Sequence, residues 1–189
     1  MNSHRLFSTR NLVFAAMMAA LTAIGSAIRI TIPIDIAGTT AFHLGNIMCA
    51  LSGILLGPWL GGLAAGLGSA IFDILSSYVA DCWITLLTKG IYGMVAGLVI
   101  WVGRQKTGYL WSVCASVAGA VTYAVLYLSK AYFYDGLFIH ALTSDAALLT
   151  VFSKIPATIF NAAVAIICAP LLAVAIRKSL SKADLLPKL

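Results

Sequence analysis

The residues able to do chemistry in this chain are few, and they sit inside apolar runs. Arg29, Lys89, Lys130, Lys154 and the carboxylate Asp73 all fall within otherwise hydrophobic stretches. A charge inside a membrane span costs about 2.5–3.5 kcal/mol on insertion scales, so such groups tend to face a cavity or a partner. Their polar neighbours recur at helical spacing: Ser69, Asp73 and Ser76; Thr85, Lys89 and Tyr92; Tyr123, Tyr127, Lys130 and Tyr134; Lys154, Thr158 and Asn161. Each set is a stripe on one helix face. Asn46 stands without such a stripe, followed on its face by Cys49 and Gly53. Lysines can give charge-assisted hydrogen bonds to anionic or oxygen-rich groups. Tyrosines offer flat amphipathic contact for a ring. Asn46 and Asn161 can read donors and acceptors on a heterocycle. Asp73 can fix Lys89 or accept from hydroxyls. His43 is either a further contact or an ordinary loop histidine.

The same inventory excludes much else. All six acidic residues are Asp, so the glutamate-dependent zinc-protease and EF-hand motifs are absent. No Gly-Lys-Ser/Thr triplet occurs, so there is no P-loop, and no HxxxD or DxxD pair lies within a span. Cys49, Cys82, Cys114 and Cys168 form no CxxC pair and read as small core residues. No metal or cofactor is expected.

The elements that position these residues follow from composition. The chain has 189 residues, 61% hydrophobic and 10% charged, with a mean hydropathy of +1.00. Soluble domains are nearer about 45–50% apolar and about 25% charged. A single all-α membrane domain is expected over residues 1–189, with six spans at about 11–29, 44–57, 59–78, 83–103, 109–134 and 150–177. The formal charge of +6 is scattered around apolar runs, which fits topology better than nucleic acid. Arg5, Arg10, Arg104, Lys106, Arg177, Lys178, Lys182 and Lys188 collect on one side, and Asp35, Asp81, Asp135 and Asp145 on the other. The positive-inside rule then places both termini in the cytoplasm. Trp59, Trp101 and Trp111 fall at inner helix ends and Trp83 at an outer one, where aromatic belts lie. The longer loops, about 30–43 and 135–149, fall outside, and long loops more often carry function.

At a rise of 1.5 Å per residue, Asp73 and Lys89 lie about 8–9 Å below the outer helix ends, and Lys130 and Lys154 about 6 Å below. Four stripes at matching depth describe a polar cup opening outward. The lysines could instead snorkel to headgroups, and an Asp73–Lys89 pair could be purely structural. Away from the cup, Gly61, Gly62, Gly66 and Gly68 make a close-packing face in the third span. Ala15, Ala19, Ala23 and Ala27 form a ladder in the first, with Ala16 and Ala20 beside it. That ladder is either a docking surface for another membrane protein or packing against a sister helix.

At this point the chain resembles a known family. "AAMMAALTAIGSAIRI" in the first span, "FHLGNIMCALSGILLGPWLGGLAAGLGSAIFDILSS" at 42–77 and "TLLTKGIYGMVAGLV" at 85–99 are similar to the S component of energy-coupling factor (ECF) transporters, ABC-type vitamin importers of bacteria. Asn46 stands where relatives often have Asp. The last two spans match mainly in size and hydropathy. The resemblance implies a six-helix bundle in the cell membrane that binds a vitamin near its outer surface. It implies a lid at about Arg29–His43 and docking of the coupling subunit on the AxxxA face, Ala15, Ala19 and Ala23. Two cytoplasmic ATPases in other chains would supply the energy, and the S component would topple in the membrane to carry its ligand inward.

The expected function is therefore ligand capture, not catalysis. Pantothenate, riboflavin, B6-type compounds and pyrimidine or deazapurine precursors are candidate ligands, the cations of the cup favouring carboxylate, phosphate or many oxygens. A stand-alone carrier or channel would show repeats or pore symmetry, and a lipid-modifying enzyme would need clustered acid–base groups or metal ligands.

Overall fold

The computed structural model describes residues 8–33, 39–103 and 108–182. The expectations placed on Arg5, Asp35, Arg104, Lys106 and Lys188 lie outside the described residues, as does most of the connection at 104–108. Helix α1 spans Thr9–Ala27, opened by the Ser8 side chain accepting from the Asn11 amide. Its buried residues Asn11, Met18, Thr22 and Gly25 recur on one face. Helix α1 stops two residues short of the expected end. Arg29–Pro33 forms strand β1 instead, paired antiparallel with β2, Thr39–His43, from Arg29↔His43 to Pro33↔Thr39. The Ile30-Thr31-Ile32 run is β-branched and suits a strand. The segment expected as a plain loop is thus a hairpin.

Next comes one long element, α2, Gly45–Ile74, broken at Gly57, where φ is 74° and ψ is −173°. Only glycine takes that backbone cheaply, and Pro58 then starts the second half without a donor to lose. The halves fold back on each other. A Cβ on Gly61 would lie 2.6 Å from the Gly53 Cα, and Cys49 Sγ lies 3.8 Å from Ser69 Oγ. A straight helix would hold residues 49 and 69 about 30 Å apart. In the first half every residue from Gly45 to Leu56 is buried except the half-buried Met48. It is a core helix, and at about 18 Å it is shorter than the roughly 30 Å hydrocarbon layer.

A short 3₁₀ turn, Val79–Asp81, leads into α3, Cys82–Val102. This helix packs on α2 backbone to backbone. Cβ atoms on Gly66 and Gly93 would lie 2.6 Å from the Leu86 carbonyl oxygen and 2.7 Å from that of Gly61. Helix α4, Tyr109–Ser129, runs on into a π-helical segment, Lys130–Ile139. Helix α5, Ser144–Lys182, carries Pro156 and Pro170 inside it. It begins six residues before the expected start, so the second long loop is largely helical. Near its far end Arg177 donates to the Ile54 carbonyl, close to the break in α2. Among the described residues, five segments are long and apolar enough to cross a membrane. The count differs from six because the two halves of α2 form one element.

The packed core lies away from the polar residues, around Leu51, Ile54, Leu56, Leu60, Ala96, Ala115 and Ala165. Outward faces are apolar along every helix, including Leu12, Leu63, Leu98, Val121 and Ile167. Trp59, Trp83, Trp101 and Trp111 are all surface residues. This is a multi-pass membrane protein.

Candidate functional site

A cavity of about 570 Å³ opens at one end of the bundle, within the range of small-molecule sites. It is lined by the end of α1 (Ser26), the hairpin (Arg29, Thr40, Ala41, His43), the start of α2 (Asn46) and the end of α2 (Ser69, Phe72, Asp73). The first turns of α3 (Thr85, Thr88, Lys89), the end of α4 (Tyr123, Tyr127), Lys130 and Asp135 of the π-helical segment, and the early turns of α5 (Lys154, Thr158, Asn161) complete the wall. Successive helical stretches therefore meet the cavity alternately by their ends and their beginnings.

The structure brings together nine of the ten expected ligand-site residues: His43, Asn46, Asp73, Lys89, Tyr123, Tyr127, Lys130, Lys154 and Asn161. The tenth, Tyr92, is fully buried and does not line the cavity. It shares a helix face with Lys89 but lies nearly a turn deeper, where it stacks under Tyr123 at 5.6 Å between centroids and 18° between planes. Tyr123 in turn stacks on Tyr127 at 5.7 Å. The three rings make a ladder climbing to the cavity wall.

Lys89 is buried and donates to the Asn46 side-chain oxygen. Its Nζ lies 3.8 Å from the Tyr123 ring centroid, so the ring face offsets part of its desolvation. Its partner differs from the expected Asp73. At the rim, Lys130 pairs with Asp81 and Asp135, both at 2.9 Å, and Lys154 pairs with Asp135 at 3.2 Å. Sequence reading left both aspartates among the loop charges. Residues five apart sit roughly 140° apart on an α-helix at 100° per residue. The π-helical turn, closed by i→i+5 bonds, brings Asp135 over Lys130. Only an unusual helix type joins them, and spacing gave no signal of it.

The lining carries four cations, Arg29, Lys89, Lys130 and Lys154, and three carboxylates, Asp73, Asp81 and Asp135, so four minus three leaves +1. The large cation excess expected of the cup is mostly neutralised at its rim. Arg29 lies over Phe72 at 4.5 Å and over Tyr78 at 4.4 Å. Burial, with Lys89 and Arg29 nearby, holds the His43 imidazole well below its ordinary pKa, so it is neutral near pH 7. Its Nδ1 is buried without a hydrogen-bond partner among the described residues.

Asn161 makes two bonds to the hairpin backbone. Its Oδ1 accepts from the His43 N–H at 3.0 Å, and its Nδ2 donates to the Ala41 carbonyl at 2.8 Å. On α1, Ala15, Ala19 and Ala23 are half-buried, whereas Ala16 and Ala20 are exposed. The Ala19 carbonyl lies against Gly68.

Comparison with known proteins gives a consistent picture. The family of ECF-type riboflavin transporter S components matches residues 6–178. A protein of Pyrococcus woesei, described as an uncharacterized protein in the gap 3' region, is 34% identical over 113 residues, covering 60% of this chain and 72% of that protein. The family match bears out the resemblance carried by the first four spans and extends it over the last two.

Proposed function

The chain belongs to the family of ECF-type riboflavin transporter S components, and on that premise we propose that it captures riboflavin for ATP-driven import. As a member it is a transporter subunit and not an enzyme. The observation that carries the choice of ligand is the tyrosine ladder beside a nearly charge-balanced polar wall. Riboflavin is a flat, uncharged tricyclic ring bearing a polyhydroxylated chain. Tyr127, the outermost rung of the ladder, offers the ring a face, and Tyr123 backs it. Lys89 and Asn46 meet its heteroatom edge, while Asp73, Ser69, Thr85 and Thr88 accept from or donate to the hydroxyls. Lys130 and Lys154, held by Asp81 and Asp135, keep the rim polar without demanding an anion. His43, neutral, adds an uncharged part of the wall.

The rest of the machinery follows the family. A transmembrane coupling subunit and two cytoplasmic ATPases complete the importer, and the ladder of α1 (Ala15, Ala19, Ala23, with Ala16 and Ala20 as its exposed flank) is the docking face. The chain works as one transmembrane domain in the plasma membrane, crossing six times with both termini inside and the cavity outside. The alternation of helix ends around the cavity supports that topology, as do the basic residues Arg177 and Lys178 at the opposite end.

A titration of the purified protein tests the ligand. Flavin fluorescence is quenched on stacking, so riboflavin should quench to saturation at one equivalent. Pantothenate and B6-type compounds should neither compete nor raise the melting temperature. Saturable binding of one of those instead would reassign the substrate.

A further inference from the structure

We infer that Asn161 is the catch that holds the β1–β2 hairpin over the cavity, a positioning residue that sets how fast ligand enters and leaves. This replaces the expectation that Asn161 reads a heterocycle, and its kinetic arm rests on the riboflavin-binding reading above.

The carboxamide is already engaged. In a strand, the carbonyl of one residue and the N–H two residues on point to the same edge. Asn161 bonds both, accepting from His43 at 3.0 Å and donating to Ala41 at 2.8 Å. It thereby stands where a peptide group of a third strand would pair. The side chain is buried, with 6% of its surface exposed, so both bonds are shielded from competing water. Phe160, its neighbour on α5, meets Phe42 of β2 edge to face at 4.9 Å. At the root of the hairpin, Arg29 lies over Phe72 of α2 and over Tyr78 of the turn that follows it.

A two-stranded hairpin is at best marginally stable by itself. This one is positioned by side chains reaching from two separate helical elements, and its own Arg29, Thr40, Ala41 and His43 wall the cavity. For the paired strands to lift off the cavity, the bonds to Asn161 must break. Weakening them raises the open population, which speeds entry, and lowers the barrier to opening, which speeds release. Affinity changes less than either rate. A residue that read the ligand would act on release alone.

Two variants of the full chain separate these cases. Asn161→Leu removes both bonds while keeping the branching and number of side-chain heavy atoms, and Asn161→Ala removes them with the best helix former. Stopped-flow flavin fluorescence with riboflavin should show association and dissociation each accelerated about tenfold, the scale of two lost hydrogen bonds. The dissociation constant should stay within about threefold. Hydrogen exchange in the ligand-free protein gives a second readout. The amides of residues 39–43 should exchange about tenfold faster in both variants, with the α2–α3 core unchanged. Faster dissociation at constant association, or unchanged exchange in the hairpin, overturns the catch. If wild-type protein does not bind riboflavin, the ligand reading fails, while the exchange measurement still decides the role of Asn161.

Discussion

Lys89 stands in the cavity wall with its charge held by an amide oxygen and a ring face, and no carboxylate within salt-bridge distance among the described residues. An incoming acceptor can therefore complete its hydrogen bonding. Lys89→Met should weaken riboflavin binding by about tenfold or more, the scale of a lost charge-assisted bond, with little loss of melting temperature because a buried charge is removed. Unchanged affinity would take Lys89 out of the site. His43 gives a pH signature. Its imidazole is neutral when folded and protonates near 6.5 when unfolded. The unfolded chain binds the extra proton, so folded stability is intact above pH 6.5 and falls as pH drops from there toward the lowered native pKa. The melting temperature should fall between pH 7 and 5, and His43→Gln should flatten that slope; an unchanged slope would place the sensitivity elsewhere. Most of these residues were legible because α-helical stripes repeat on one face. Tyr92 misled because a face does not specify depth. Asp135 was missed because its pairing depends on a π-helical turn, and the partner of Asn161 lies 118 residues away.

Among the elements, the break in α2 makes the cavity possible, since it returns Asp73 to the end where Asn46 begins. Gly57, at φ 74° and ψ −173°, holds a backbone that side chains resist. Gly57→Ala should lower stability by about 1–3 kcal/mol, read as a lower melting temperature with the ligand stoichiometry retained. A neutral effect would mean that the turn relaxes freely. The ladder of α1 gives a second test. Ala19 is half-buried with its carbonyl against Gly68, so a larger residue there would disturb the fold. Ala20 is exposed, and Ala20→Leu should abolish uptake by the assembled transporter while leaving riboflavin binding intact. Loss of both together would make the face a packing surface. Gly57-Pro58 announced the turn and the glycine runs announced the close packing. The hairpin was not read as strand because Arg29–Pro33 and Thr39–His43 are short and adjoin apolar helices, the first following α1 and the second leading into α2. The true start of α5 was hidden because Ser144 and Asp145 read as loop, although they open the helix and the apolar residues 146–149 continue it.

For the whole molecule, composition alone fixed the membrane class, and alternation of the helical stretches brought every polar stripe to one end. What composition could not supply was the charge balance of the cavity, because that depends on which aspartates the turn at 79–81 and the π-helical segment bring to the lysines. With that balance a neutral, ring-bearing vitamin fits better than an anion. The most direct test is native mass spectrometry of the protein released gently from membranes of cells grown with riboflavin. One flavin retained per chain, lost in Lys89→Met, is the expected result. A chain that emerges empty from riboflavin-replete membranes, or carries a different vitamin at one copy, would contradict the assignment.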